Sequence, residues 1–242
     1  MQWIDVGETR THRNFVRELV LSERRTGRYK VLDLGGGADS WTQDFADTTV
    51  DIDFQQSSDG RQISADLLDP NTYKKFRNKK FNLVILSHIL EDIRDPFFLI
   101  RQAFTMTDKI FVSVPHKTLE FRRVESLSFA GFHHHRYIFS SDGESLFVTP
   151  KTSLTNVWLK SHKTLERVTV RSKAIRAKKD VFDTVIGWNK ALKNLPPVPS
   201  FPRTTSLSLL IDSPNQVKSL DYIRSGQDLL QTYKMILNDH CY

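Results

Sequence analysis

The stretch VLDLGGGADS, Val31 to Ser40, drives an apolar run into three consecutive glycines, and its reading decides the fold. The run that begins at Tyr29 and ends at Leu34 is rich in residues that favour a buried strand. The turn at Gly35, Gly36 and Gly37 lets a ligand approach the backbone closely, because glycine has no side chain to obstruct it and tolerates positive φ. A second run, Thr48 to Ile52, carries VDID, and an acid at the end of such a strand can accept both hydroxyls of a ribose. Asp51 fits that role better than Asp53, since it directly follows the apolar residues.

Working outward, Phe81 to Ser87 and Lys109 to Val114 read as further buried strands. Helices are expected over Thr11 to Arg25, Asn71 to Arg77 and Pro96 to Phe104, the last with Asp95 as N-cap and Pro96 at the first helical position. SADLLD puts Asp66 where a strand between them would end. This alternation implies an α/β fold, a mostly parallel central sheet with helices on both faces. Beyond Pro115 the pattern changes to antiparallel strands at Tyr137 to Phe139, Ser145 to Thr149 and Leu165 to Val170. A basic helix over Ser172 to Trp188, a strand over Ser206 to Ile211 and an amphipathic helix from Asn215 to Leu237 complete the reading.

The 242 residues fit one domain, with residues 1–115 as a cofactor-binding half and 116–242 as an acceptor-side half. No apolar run approaches the roughly 18 residues of a membrane span, and MQWIDVGETR is acidic and polar where a secretion signal would be basic, then apolar. A cytoplasmic protein is expected. The single cysteine, Cys241, cannot form an internal disulfide and argues against thiol chemistry. Of the net charge of +7, residues 151–203 alone carry +9, a surface for an anionic partner such as nucleic acid or simply a solvated face.

VLDLGGG, VDID, SADLLD and SHILEDIRDP occur in the order found in the class I S-adenosylmethionine-dependent methyltransferases of the small type 11 kind, which residues 29–115 resemble. The resemblance implies a Rossmann-like methyltransferase fold with S-adenosylmethionine as cofactor. It assigns Asp33, Gly35, Gly36 and Gly37 to the amino-acid end of that cofactor, Asp51 to the ribose and Asp66 to the adenine. Ser87 and His88 would lie beside the reacting methyl group. Two departures stand out: Asp92 replaces the family's usual histidine, and the stretch from Gly37 to Asp51 leaves room for only a turn or two of helix.

A sulfonium methyl group is already activated, so the protein has to align an acceptor and remove its proton. For a hydroxyl acceptor this takes a general base or a metal ion. His88, Glu91 and Asp92 stand at i, i+3 and i+4, a spacing that gathers them on one side of a helical turn at the ligand-binding edge of the sheet. GFHHHRYIF, Gly131 to Phe139, adds His133, His134 and His135 as catalytic candidates. In a strand His133 and His135 would face one way and His134 the other. His116 is a further candidate, and Arg136 would bind an anionic group or cover the sheet.

Small-RNA 2′-O-methyltransferases resemble this segment and bring two glutamates and two histidines to a divalent metal. By that resemblance His88, Glu91, Asp92 and one histidine of the tract, His134, would bind Mg²⁺ or Mn²⁺. His88 acting alone as base is the alternative. The HRYIF element also resembles type 11 members that act on glycans. The expected function is therefore O-methyl transfer to a sugar, glycan or similar small acceptor. A nucleic-acid methyltransferase that uses RSKAIRAKK, Arg171 to Lys179, for phosphate contacts is the alternative. A non-catalytic nucleoside-binding protein is the third reading.

Overall fold

The computed structural model describes residues 3–54, 60–77, 80–120, 131–141, 144–151 and 205–219. In chain order the strands are β1 (Trp3–Glu8), β2 (Val31–Leu34), β3 (Thr48–Asp51), β4 (Gln62–Ser64), β5 (Leu83–Ser87), β6 (Ile110–Pro115), β7 (Tyr137–Ser141), β8 (Leu146–Pro150), β9 (Thr205–Ile211) and β10 (Val217–Ser219). The helices are α1 (Thr9–Thr26), α2 (Pro96–Phe104) and the single turn α3 (Lys117–Glu120).

Seven strands form the main sheet in the order β1-β9-β6-β5-β2-β3-β4. The pairs β4/β3, β3/β2, β2/β5 and β5/β6 are parallel, whereas β9 runs antiparallel to β6 and to β1. From β2 the chain first builds outward through β3 and β4, then returns to lay β5 on the other side. The switch point therefore lies between β2 and β5, and ligands of open α/β sheets bind in the crevice outside the carboxyl ends of such strands.

Alternation along the strands sorts the core into two layers. Val31, Leu83, Ile85 and Phe111 face α1 and meet its Val16 and Val20. Leu32, Leu34, Val84, Leu86 and Val112 face the other way, onto Leu99, Ile100 and Ala103 of α2. Both faces of the central strands are thus covered, which is why these segments are near-continuous apolar runs. The smaller sheet, β10-β8-β7, adds Phe139, Leu146, Val148 and Val217 to the second layer.

The strands and helices expected before Pro115 form with small shifts at their ends. Residues 70–76 take up the tighter 3-10 geometry. The edge strand β1 is an addition that sequence reading passed over. One expectation is corrected: the final helix does not begin near Asn215. Pro214–Gln216 makes one 3-10 turn, closed by a reciprocal Ser213–Gln216 capping box, and Val217 is already extended and opens β10. The rest of that span, the strand at Leu165 to Val170, the helix at Ser172 to Trp188 and nearly all of the basic segment lie outside the described residues. No helix among the described residues is long and apolar enough to cross a membrane.

The start of α2 follows its local chemistry. Asp95 has non-helical backbone angles and its Oδ1 accepts the Phe98 backbone N–H at 2.8 Å, while Pro96 supplies the fixed φ of the first helical position. Asp95→Ala is expected to lower stability by about 1 kcal/mol in urea denaturation. An unchanged transition midpoint would show that the cap is energetically idle.

Candidate active site

Two turns meet at the switch point, the glycine turn after β2 and the turn after β5. Gly35 has φ of 86°, and a Cβ there would come within 2.9 Å of the Ile89 Cβ. Only glycine lets the two turns pack this closely. The first turn is then tied down by carboxylates. Asp51 Oδ2 accepts Gly37 N–H at 3.0 Å, and its Oδ1 accepts Asp53 N–H at 2.9 Å. Asp33 is 1% exposed, and its Oδ2 accepts the Ser40 hydroxyl at 2.8 Å and the Thr42 hydroxyl. Its Oδ1 is buried with no hydrogen-bond partner among the described residues. Burial raises the Asp33 carboxyl from 3.8 to about 6, against the two hydroxyl hydrogen bonds that lower it, with the Asp51 charge adding to the rise.

The short stretch between Gly37 and Asp51 holds turns where a helix would need more chain. Trp41, in those turns, donates its indole N–H to the Ser87 hydroxyl at 3.2 Å and so links them to the end of β5. Asp66 is exposed, and its Oδ1 accepts Leu68 N–H at 2.7 Å.

His88 follows β5 with φ of 54°, a left-handed conformation uncommon outside glycine. Its own N–H bonds to Ser113 O at 2.8 Å, which holds the backbone there. His88 Nδ1 lies 3.1 Å from Oε1 of Glu91, a residue 1% exposed. A carboxylate only accepts, so Nδ1 carries the proton and Nε2 is the ring's acceptor. The Ser206 hydroxyl of β9 reaches Nε2 at 3.2 Å and the Thr9 hydroxyl at 2.7 Å. Glu91 Oε2 is buried with no hydrogen-bond partner among the described residues.

The expected set of His88, Glu91, Asp92 and His134 therefore divides. His88 and Glu91 pair with each other. Asp92 faces the histidine tract, with its Oδ1 3.9 Å from His134 Nε2 and 3.8 Å from His135 Nε2. The tract is not a strand, so the expected alternation fails and neighbouring His134 and His135 converge on one oxygen. His133 is exposed and does not join them. His116 is buried at the end of β6. Arg136 is used structurally: its N–H bonds to Glu91 O at 2.6 Å and its Nε to Asp92 O at 3.0 Å, which stitches the tract onto the turn.

Behind His135 stands Glu120, whose Oε1 lies 2.6 Å from Nδ1 and whose Oε2 accepts Lys151 Nζ at 2.6 Å. Gly131 makes this possible, since its φ is 62° and a Cβ would meet the Glu120 Cα at 2.7 Å. Burial pulls the His135 imidazole down, but the hydrogen bond and charge of Glu120, with Glu91 and Asp92, outweigh it and hold the ring above its ordinary value. Burial, then the Glu91 charge, raises Asp92. Glu120, Lys151, Trp41 and Ser206 carried no sequence signal. They reach the site through contacts between distant parts of the chain.

No protein-family model matches the chain, and no curated protein matches it significantly. Among solved structures, a SAM dependent methyltransferase from Archaeoglobus fulgidus is 15% identical with a TM-score of 0.37, over 83% of this chain and 94% of that one. A magnesium protoporphyrin IX methyltransferase from Synechocystis PCC 6803 with bound SAH is 15% identical with a TM-score of 0.36, over 84% of each chain. The N-terminal domain of EvdMO1 in the presence of SAH and D-fucose is 12% identical with a TM-score of 0.33, over 81% of each. The fold is defined by the strand order of the main sheet and the glycine turn at its switch point. By that topology the chain has the Rossmann-like fold of the class I S-adenosylmethionine-dependent methyltransferases.

Proposed function

We propose that the protein binds S-adenosylmethionine across the β2 and β5 turns and transfers its methyl group to a hydroxyl of a sugar or similar small acceptor. The observation that carries this reading is the His88–Glu91 pair. A buried carboxylate 3.1 Å from Nδ1 fixes the imidazole tautomer and makes Nε2 the acceptor, a position the Ser206 hydroxyl holds at 3.2 Å and an acceptor hydroxyl would take over. In the reaction the acceptor oxygen attacks the methyl carbon as the carbon–sulfur bond breaks. The bonding pair leaves with sulfur, S-adenosylhomocysteine results, and the hydroxyl proton passes to Nε2. The ligands expected for Mg²⁺ or Mn²⁺ divide between the His88–Glu91 pair and the group of Asp92, His134 and His135, so proton removal is assigned to His88 without a metal ion.

Cofactor binding is tested by thermal shift. S-adenosylmethionine and S-adenosylhomocysteine should each stabilise the protein by mass action, and Asp51→Ala should weaken both by roughly 10-fold through lost charged hydrogen bonds. A folded sample with no shift at saturating ligand would overturn the cofactor assignment. Transfer of a labelled methyl group to sugars, oligosaccharides and RNA then tests the acceptor. Label in RNA alone would replace the small-acceptor reading with the nucleic-acid one. Cofactor binding without transfer to any hydroxyl would favour a nucleoside-binding protein.

A further inference from the structure

We propose that Asp92, His134 and His135 form a site for a borderline divalent transition-metal ion of the Zn²⁺ or Co²⁺ kind, separate from the His88–Glu91 pair. Asp92 Oδ1 is buried with no hydrogen-bond partner among the described residues. Two imidazole nitrogens point at it from 3.8 and 3.9 Å, beyond hydrogen-bond range. One donor atom from each of the three residues falls within 4.8 Å of the others. With metal–ligand bonds of about 2.0–2.1 Å, the edge of a tetrahedral site is about 3.3 Å. The two edges from Asp92 Oδ1, at 3.8 and 3.9 Å, would each have to contract by roughly 0.5 Å to bring these residues onto an ion.

The surroundings are those of a ligand held in advance. A metal-bound histidine needs its second ring nitrogen protonated and anchored, and a carboxylate commonly does this. Glu120 occupies that position on His135 at 2.6 Å, is itself held by Lys151 at 2.6 Å, and Lys151 also donates to Phe132 O at 2.6 Å within the tract. The Arg136 hydrogen bonds to the backbone of residues 91 and 92 fix the other half of the site relative to this one. A plain polar loop would need none of this anchoring.

The donor set decides the ion. Mg²⁺ prefers an octahedral shell of oxygens and keeps its water, whereas two imidazoles and one carboxylate suit Zn²⁺, Co²⁺ and their neighbours. Three protein ligands leave a position open for water or an acceptor hydroxyl. Use of that position in methyl transfer rests on the function proposed above; the metal site does not.

The experiment follows binding alone, with no methyl donor present. Metal-stripped full-length protein is titrated with Co²⁺ and its visible absorption recorded. One equivalent should bind with the intense bands of low coordination number, be displaced by Zn²⁺ and resist a large excess of Mg²⁺. His134 has a side chain 57% exposed, so His134→Ala removes a ligand without touching the core. It should abolish the bands, as should Asp92→Asn. Glu120→Gln should weaken binding by about 10-fold, and His88→Ala should leave it unchanged. Co²⁺ binding that survives both His134→Ala and Asp92→Asn, that Mg²⁺ displaces, or that His88→Ala removes would overturn the site. Absence of binding would do the same and leave the methyl-transfer reading standing.

Discussion

Replacing His88 with alanine is expected to slow methyl transfer by about 10³-fold while leaving the affinity for S-adenosylmethionine within a few-fold of the native value. The split follows from what the side chain touches. Its Nδ1 is spent on Glu91 and its Nε2 meets the Ser206 hydroxyl at 3.2 Å, so the proposed function has Nε2 take the acceptor's proton once the acceptor hydroxyl replaces that of Ser206. The carboxylates at the glycine turn remain in place in the variant. Stopped assays at saturating cofactor should therefore show the loss in kcat, and thermal shift should show the cofactor still bound. Added imidazole should recover part of the rate, because the missing group is a diffusible base of the same kind. Glu91→Gln should fall between, since an amide can still accept from Nδ1–H through its oxygen but no longer stabilises the imidazolium that forms. Activity of His88→Ala within about 10-fold of native would remove His88 from the chemistry.

How much of this was legible depends on how local the cause is. The central strands declare themselves because burial on both faces demands unbroken apolar runs such as LVIL at residues 83–86. The α2 cap was readable because Asp95 and Pro96 act on their immediate neighbours. β1 was missed because WIDVGE becomes a strand only by pairing with β9, about two hundred residues away in the chain. The same limit governs the site. Spacing of three residues was enough to join His88 to Glu91, but the i+4 carboxylate of Asp92 turned to partners the helical spacing could not name. Glu120 lies 15 residues before His135 and Lys151 lies 31 after Glu120, so their chain of hydrogen bonds is a product of tertiary packing. Asp33 stands before the glycine turn in VLDLGGGADS, yet its depth and its bonds to the hydroxyls of Ser40 and Thr42 were not visible there.

That depth gives Asp33→Asn two effects of opposite sign. Asp33 binds its proton with a pKa of about 6 in the folded protein, above the ordinary 3.8. Between these values the folded state holds more protons than the unfolded one, so this group's contribution is fully present below 3.8 and is lost as the pH rises past about 6. At pH 7 the buried charge costs about 3 kcal/mol by this measure. Asparagine carries no charge and can still accept from the Ser40 and Thr42 hydroxyls, though its amide N–H group is left where Oδ1 had no partner. The variant should therefore be more stable at pH 7 by roughly 2 kcal/mol and should lose the decline between pH 4 and 6. Cofactor binding should move the other way. The amino-acid end of S-adenosylmethionine carries an ammonium group, and a buried carboxylate is a strong partner for a cation. Loss of one charged hydrogen bond should weaken binding by about 10- to 100-fold, and the native affinity should fall as the pH drops below about 6 while that of the variant stays flat. Urea denaturation and calorimetric titration across pH read the two effects separately. If Asp33 merely braces the turn, Asp33→Asn will lower stability and affinity together, and the assignment of Asp33 to the cofactor's charge fails.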